Sequence, residues 1–282
     1  MHFAAAFVLV ALIIILCYFC VKRKKISCKE NSGQKWQGDL PRKLIQAKGA
    51  LSKSLFKRLN EYGIEQVPEI VEFWPKISPE IKKELVDFWE SQGYLNHYVN
   101  ALGAKDEGRQ AEAAYILVNL KEKRLIPLLV DALSQPEKYL PARVAEVLVA
   151  FGPGVVDYLC GILCDLPEGT KCLVIDILQE IADDRAVVPL MKELADESPR
   201  IRQKAVSALG EIGNPNALEN LIPLMGDVDE KVRSMTARAL GRLGCFEAIP
   251  VLKKALNDEA WLVRVNARDA LDKLTVPEEK HA

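Results

Sequence analysis

Histidine is nearly absent from this sequence: His2, His97 and His281 are the only three in 282 residues. One stands near each end and the third lies in the aromatic stretch YLNHYVNA, so no Ser-His-Asp or Cys-His arrangement can be drawn among them. His97 is expected to pack or to lie on the surface. Cysteine is sparse too: seven residues, at 17, 20, 28, 160, 164, 172 and 245, an odd number with no spacing that frames disulfides. They read as free thiols of a reducing compartment. Cys160 and Cys164 share one helix face with Cys172 close behind, but no fourth ligand accompanies them. Core packing is therefore the expectation, and neither a metal nor any other cofactor is expected. The sequence lacks any Asn-x-Ser/Thr acceptor. It also lacks a strand-like alternation near the pair Gly210 and Gly213, which excludes a nucleotide-binding loop there.

Charge of either sign is missing from the first 21 residues. Phe3 to Val21, FAAAFVLVALIIILCYFCV, has no polar face, and at about 1.5 Å per residue its length matches the hydrocarbon core of a bilayer. Tyr18 and Phe19 close the run, where aromatic rings favour the interface. A cleaved signal peptide would begin with basic residues, carry a shorter apolar run and end in small residues. The run instead predicts one uncleaved transmembrane helix. Lys22, Arg23, Lys24 and Lys25 come directly after it and predict a cell-membrane protein, single-pass, with the remainder of the chain in the cytoplasm and these four residues at the membrane surface. Residues 22 to 59 carry twelve Lys or Arg against Glu30 and Asp39, while the whole chain nets −1, so the chain beyond residue 59 is acidic. Trp36 is the only aromatic between Lys22 and Leu55, too few for base stacking, so nucleic acid is not an expected partner.

The second half of the chain repeats every 31 residues. DESPRIRQKAVSALGEIG (Asp196 to Gly213) returns as DVDEKVRSMTARALGRLG (Asp227 to Gly244). One column reads Asp165, Asp196, Asp227, Asp258, and six residues on another reads Lys171, Arg202, Arg233, Arg264. Leu178, Leu209, Leu240 and Leu271 form a third, Leu159, Leu190, Leu221 and Leu252 a fourth. Within a copy, Ile201, Ala205, Ala208, Leu209 and Ile212 recur at threes and fours and line one helix face. A second helical run comes next, as in EAIPVLKKAL. Gly213 and Gly244 fall where the first helix of each copy must end. A two-helix unit of this size cannot bury its apolar face alone, and stacking neighbours builds the core. The expected fold class is thus all-α, an α-solenoid of stacked helix pairs preceded by a single transmembrane helix. The Asp column is placed to cap backbone N–H groups in the turn before each helix, and the basic residue six on to reach that turn or the next copy's Asp. These eight residues read as a structural ladder.

VRSMTARALGRLGCFEAIPVLKKAL (Val232 to Leu256) resembles the short HEAT-like repeats of phycobilisome bilin lyases. The resemblance runs from about Asp106 to Leu274. It is looser early on, with Gln110 and then Pro141 where the basic residue belongs. It implies that the helix holding the Val-Arg pair lines the inner, concave surface. Two enzymes are its functional counter-reading. Bilin lyases hold a chromophore on such a solenoid but have no N-terminal anchor in their pattern. Deoxyhypusine hydroxylase binds di-iron through repeated His-Glu pairs, whereas the histidines here precede Phe3, Tyr98 and Ala282.

The resulting organisation is a transmembrane helix at 3–21, a basic linker at 22–40, degenerate helical repeats at 41–105, a HEAT-like solenoid at 106–276 and a tail at 277–282. Ser78, Pro79 and Glu80 predict a helix start, and Phe73, Trp74, Phe88 and Trp89 are expected to fill the first helical end. Between the repeat columns, Lys204, Ser207 and Glu211, then Met235, Arg238 and Arg242, then Asn266, Asp269 and Lys273 are the candidate partner surface. Arg238 and Arg242 lead it, for an acidic partner. The expectation is a non-enzymatic, membrane-tethered scaffold for protein partners, with no small-molecule substrate.

Overall fold

A computed structural model describes residues 40–47, 49–135 and 140–275. The expected anchor at 3–21, Lys22, Arg23, Lys24 and Lys25, and the tail at 277–282 lie outside the described residues. All regular structure among the described residues is helical. They fall into two compact units, one ending at Phe151 and one beginning at Gly152.

The first unit contains α1 (Leu40–Gln46), α2 (Lys53–Tyr62), α3 (Val67–Glu72), α4 (Pro79–Ser91), α5 (Tyr94–Ala101), α6 (Glu107–Leu120), α7 (Leu125–Leu133) and α8 (Leu140–Phe151). Ser78 starts α4: its Oγ accepts from the Ile81 N–H, and Pro79 occupies the first turn, where its missing N–H costs nothing. Trp74 and Trp89 are buried and stacked, with ring centroids 5.5 Å apart. Phe88 joins them in the interior and meets Phe56 edge to face, with ring centroids 6.0 Å apart. Phe73 departs from expectation: it is exposed, because Trp74, one position on, is the residue aimed into the core.

In the second unit, α9 (Val156–Ile162), α11 (Val187–Lys192), α13 (Leu218–Leu221) and α15 (Ile249–Ala255) are short, and α10 (Glu168–Ile181), α12 (Pro199–Ile212), α14 (Glu230–Leu243) and α16 (Trp261–Thr275) are long. The long helices pack in one row, α10 on α12, α12 on α14 and α14 on α16. Prolines shorten α13: Pro215 and Pro223 open 3-10 turns on either side of it. Leu159, Leu190, Leu221 and Leu252 are fully buried, as are Leu178, Leu209 and Leu240. Leu271, the last of its column, is only half-buried. No later helix covers it among the described residues.

Two kinds of glycine shape this row. Gly213 and Gly244 end their helices in the left-handed conformation, at φ 72° and 73°. Ala182 and Lys121 stand at the equivalent ends of α10 and α6 and adopt the same conformation without glycine, at φ 52° and 47°. Gly210 and Gly241 lie inside their helices and do something else. A Cβ on Gly210 would fall 2.8 Å from the Cα of Ala239, and one on Gly241 would fall 2.7 Å from the Cα of Ala270. These glycines let adjacent long helices touch backbone to backbone.

One described helical stretch, Leu140–Asp165, is long and apolar enough to cross a membrane by length and composition, with 56% of its window buried inside the protein. Gly152, at φ 66°, and Pro153 interrupt it. Its apolar side chains Val144, Val147, Leu148, Val155 and Val156 are those of a core helix, fully buried.

Candidate functional site

The ladder comes first, because it fixes the helices that carry the candidate surface. Arg202 donates from Nε to Oδ2 and from Nη2 to Oδ1 of Asp227, at 2.8 and 2.9 Å. Arg233 grips Asp258 the same way, at 2.9 Å for both. The third guanidinium nitrogen reaches back to its own turn: Arg202 Nη1 to the Asp196 carbonyl at 2.9 Å, Arg233 Nη1 to that of Asp227 at 3.0 Å. Each arginine therefore ties two consecutive repeats with its whole planar fork.

The aspartates accept a further bond, Asp196 from the Ser198 N–H, Asp227 from that of Asp229 and Asp258 from that of Ala260, each close to 2.8–2.9 Å. They close the turn before the helix rather than capping it. The cap itself is the next polar residue, as where Asp229 accepts from Lys231 and Val232. Among the described residues Asp165 makes no such bond: the residue two positions on is Pro167, which has no N–H, and the position 25 residues earlier holds Leu140 in place of an arginine. In the first rung Lys171 replaces arginine. A point charge cannot fork, and it binds a second, buried carboxylate, Glu193 at 2.8 Å, besides Asp196 at 3.0 Å. Glu193 was not legible from the repeat, since the same position holds Leu224 in the next copy.

Gln110 sits where the early copy lacks its basic residue. Its Nε2 donates to the Ala104 carbonyl at 2.5 Å, six residues back, as the arginines do. It makes the inner contact of a rung and leaves the outer one unmade.

Burial alone would raise the Asp227 carboxyl. The Arg202 fork, the Asp229 N–H and the charge of Arg233 outweigh it and hold the group below its ordinary value. Asp196 is held low in the same way, by Ser198, Lys171 and Arg202, and the Asp258 carboxyl is lowered chiefly by Arg233. Burial also works against the charge on Lys171, and Glu193 and Asp196 more than restore it.

Several candidate surface residues turn out to be committed to neighbouring helices. Lys204 pairs with Asp176 at 2.5 Å, Glu211 pairs with Arg242, and the Asn266 amide donates to the Ser234 carbonyl and hydroxyl at 3.0 and 2.8 Å. Ser207 and Met235 are half-buried. Arg238, Asp269 and Lys273 are exposed. Among the described residues, none of these three has an ion-pair or hydrogen-bond partner. Arg238, on α14, is the exposed cation at the centre of this group.

The cysteines divide. Cys172 is buried, Cys160 and Cys245 are half-buried, and Cys164 is exposed, contrary to its expected place in the core. In the 3-10 turn after α9, Leu163 is buried and Cys164 faces outward, beside Glu193, whose hydrogen bond pushes the thiol up. Burial pushes Cys160 up to about 11, which makes it a poor nucleophile. Among the described residues, no group of three or more His, Cys, Asp or Glu could hold a metal.

A cleft of about 640 Å³ in the first unit is lined by Glu65, His97, Tyr98, Asp106, Arg109 and Glu112, among others. His97 is exposed and meets Tyr98 edge to face at 5.5 Å. Burial pushes the Tyr98 phenol up, and it donates to the Ile64 carbonyl at 3.5 Å.

No curated protein matches the chain. The family of HEAT repeats matches residues 156–228 and, overlapping, 218–281. The matched residues cover the helix pairs of the second unit. Among solved structures, the chain is similar to the complex of CpcE and CpcF of phycocyanin lyase from Nostoc sp., at 23% identity over 53% of this chain and 99% of that one, with a TM-score of 0.49. It is similar to human deoxyhypusine hydroxylase in complex with glycerol, at 18% identity over 78% and 99% of the two chains, with a TM-score of 0.37. A designed armadillo repeat protein is similar at 20% identity over 64% and 99%, with a TM-score of 0.40.

Proposed function

We propose that this HEAT-repeat chain is a membrane-tethered scaffold that docks a protein partner on its long helices and has no catalytic activity of its own. The observation that carries the reading is Arg238, exposed and without a partner among the described residues, on a row where Lys204 and Arg242 are already paired with Asp176 and Glu211. A row of stacked helices with exposed, uncommitted cations, Arg238 among them, suits an acidic surface. Arg242 flanks it one turn along, able to exchange Glu211 for a partner carboxylate. The uncharged run at 3–21 and the basic residues after it support a single-pass anchor with the repeats on the cytoplasmic side. Tethering would raise the partner's effective concentration at the membrane without any new contact.

The test is a crosslinking pull-down with the full chain in detergent. Arg238→Glu with Arg242→Glu is expected to lose the partner, and retention of every partner would overturn the docking face. Metal analysis of the same purified protein checks the absence of catalysis: stoichiometric iron would contradict it. Protease added to intact cells should leave the repeats protected, and cleavage there would reverse the topology.

A further inference from the structure

We propose that the last rung of the ladder, at Arg264, is a second docking site, for an acidic partner segment that presents an aspartate in the turn before a helix. Arg264 makes the same inner contact as Arg202 and Arg233: its Nη1 donates to the Asp258 and Glu259 carbonyls at 2.8 and 2.9 Å. Its Nε and Nη2, the atoms with which Arg202 and Arg233 grip the next aspartate, meet no acceptor among the described residues. The inner contact is that of a filled rung, and the outer one is unmade among the described residues. Trp261, Arg264 and Arg268 recur at three and four along α16 and so share a face. Trp261 is 67% exposed and Leu262 48%. Beside them, Glu230, Lys231, Ala260, Trp261 and Leu262 line a cleft of about 280 Å³, room for one apolar side chain. Arginine and tryptophan are among the residue types enriched where binding energy concentrates at protein interfaces.

The rest of the face says what fits there. Where α14 has Ala237 and Gly241, both buried, α16 has Arg268 and Asp272, both exposed. Gly241 is what lets α16 approach α14 closely, and Asp272 forbids that approach to a further close-packed helix. The occupant therefore meets the first half of α16 with a turn rather than lying along its length. Within the protein, the group that fills each fork is an aspartate that also accepts an N–H two residues on. A second copy of this chain offers only Asp165 as an unfilled ladder aspartate, and Pro167 denies it that N–H. A different, acidic protein fits better.

The probe is a synthetic acidic peptide of residues 225–232, MGDVDEKV, whose aspartate at 227 fills the Arg202 fork in the intact protein. Trp74 and Trp89 are buried, so an emission shift that disappears in Trp261→Phe reports this face. The full chain should give a saturable blue shift, weakened at least about tenfold by Arg264→Gln, by Arg264→Lys and by Asp227→Asn in the peptide, and untouched by Arg238→Gln. Unchanged melting temperatures of the variants exclude misfolding. Absence of a shift, equal binding of the Asn peptide, or indifference to Arg264 would overturn the site. Self-association of the full chain that disappears in Arg264→Gln would assign the site to a second copy and overturn the heterologous partner.

Discussion

Arg202 and Asp227 stand 25 residues apart in sequence and are joined by two parallel hydrogen bonds of 2.8 and 2.9 Å, with both side chains largely buried. Removing one member strands the other. Asp227→Asn is expected to destabilise the protein by about 2 kcal/mol, and Arg202→Lys, which keeps the charge and loses the fork, by about half that. The double variant should cost less than the sum. Urea unfolding followed by circular dichroism measures all three.

The same rungs set the response to acid. Asp196, Asp227 and Asp258 have folded values below the ordinary 3.8. Their contribution is complete above that value and is lost as pH falls through the lower folded values. Stability measured from pH 6 down to pH 2 should therefore drop most steeply below about 4. In Asp227→Asn the drop should be shallower.

The helix ends give a prediction of the opposite sign. Ala182 and Lys121 hold a backbone conformation that costs a side chain about 1 kcal/mol. Ala182→Gly and Lys121→Gly should each raise the melting temperature by a few degrees, and Gly213→Ala should lower it. A scanning calorimeter resolves shifts of that size.

The glycines inside the helices test the close packing. Gly241→Ala places a methyl 2.7 Å from the Ala270 Cα, so α14 and α16 must separate, at a cost of about 1–3 kcal/mol. Gly226→Ala meets open space and should be near neutral. If both cost the same in urea unfolding, the backbone contact is not what holds the row.

The periodicity exposed the row of long helices because one 31-residue pattern dictates both burial and helix ends. Asp196, Arg202, Asp227 and Arg233 were legible as a ladder for the same reason. What escaped was whatever differs between copies. Glu193 serves one rung only, and the role of Gly210 and Gly241 lies in their contact with the next helix, at Ala239 and Ala270. Lys204, Glu211, Arg242 and Asn266 read as free surface, since a pattern within one repeat does not show a bond to the next. Phe73 and Cys164 show the limit of composition. An apolar residue one position off the buried stripe faces water.

Arg238 is where the proposed function is most exposed to refutation. A photo-crosslinking residue at position 238 of the full chain, expressed in cells, should capture one discrete protein, and the same residue at Glu219 on α13 should not. A common adduct pattern at the two positions, or none at 238, would contradict a docking face on the long helices.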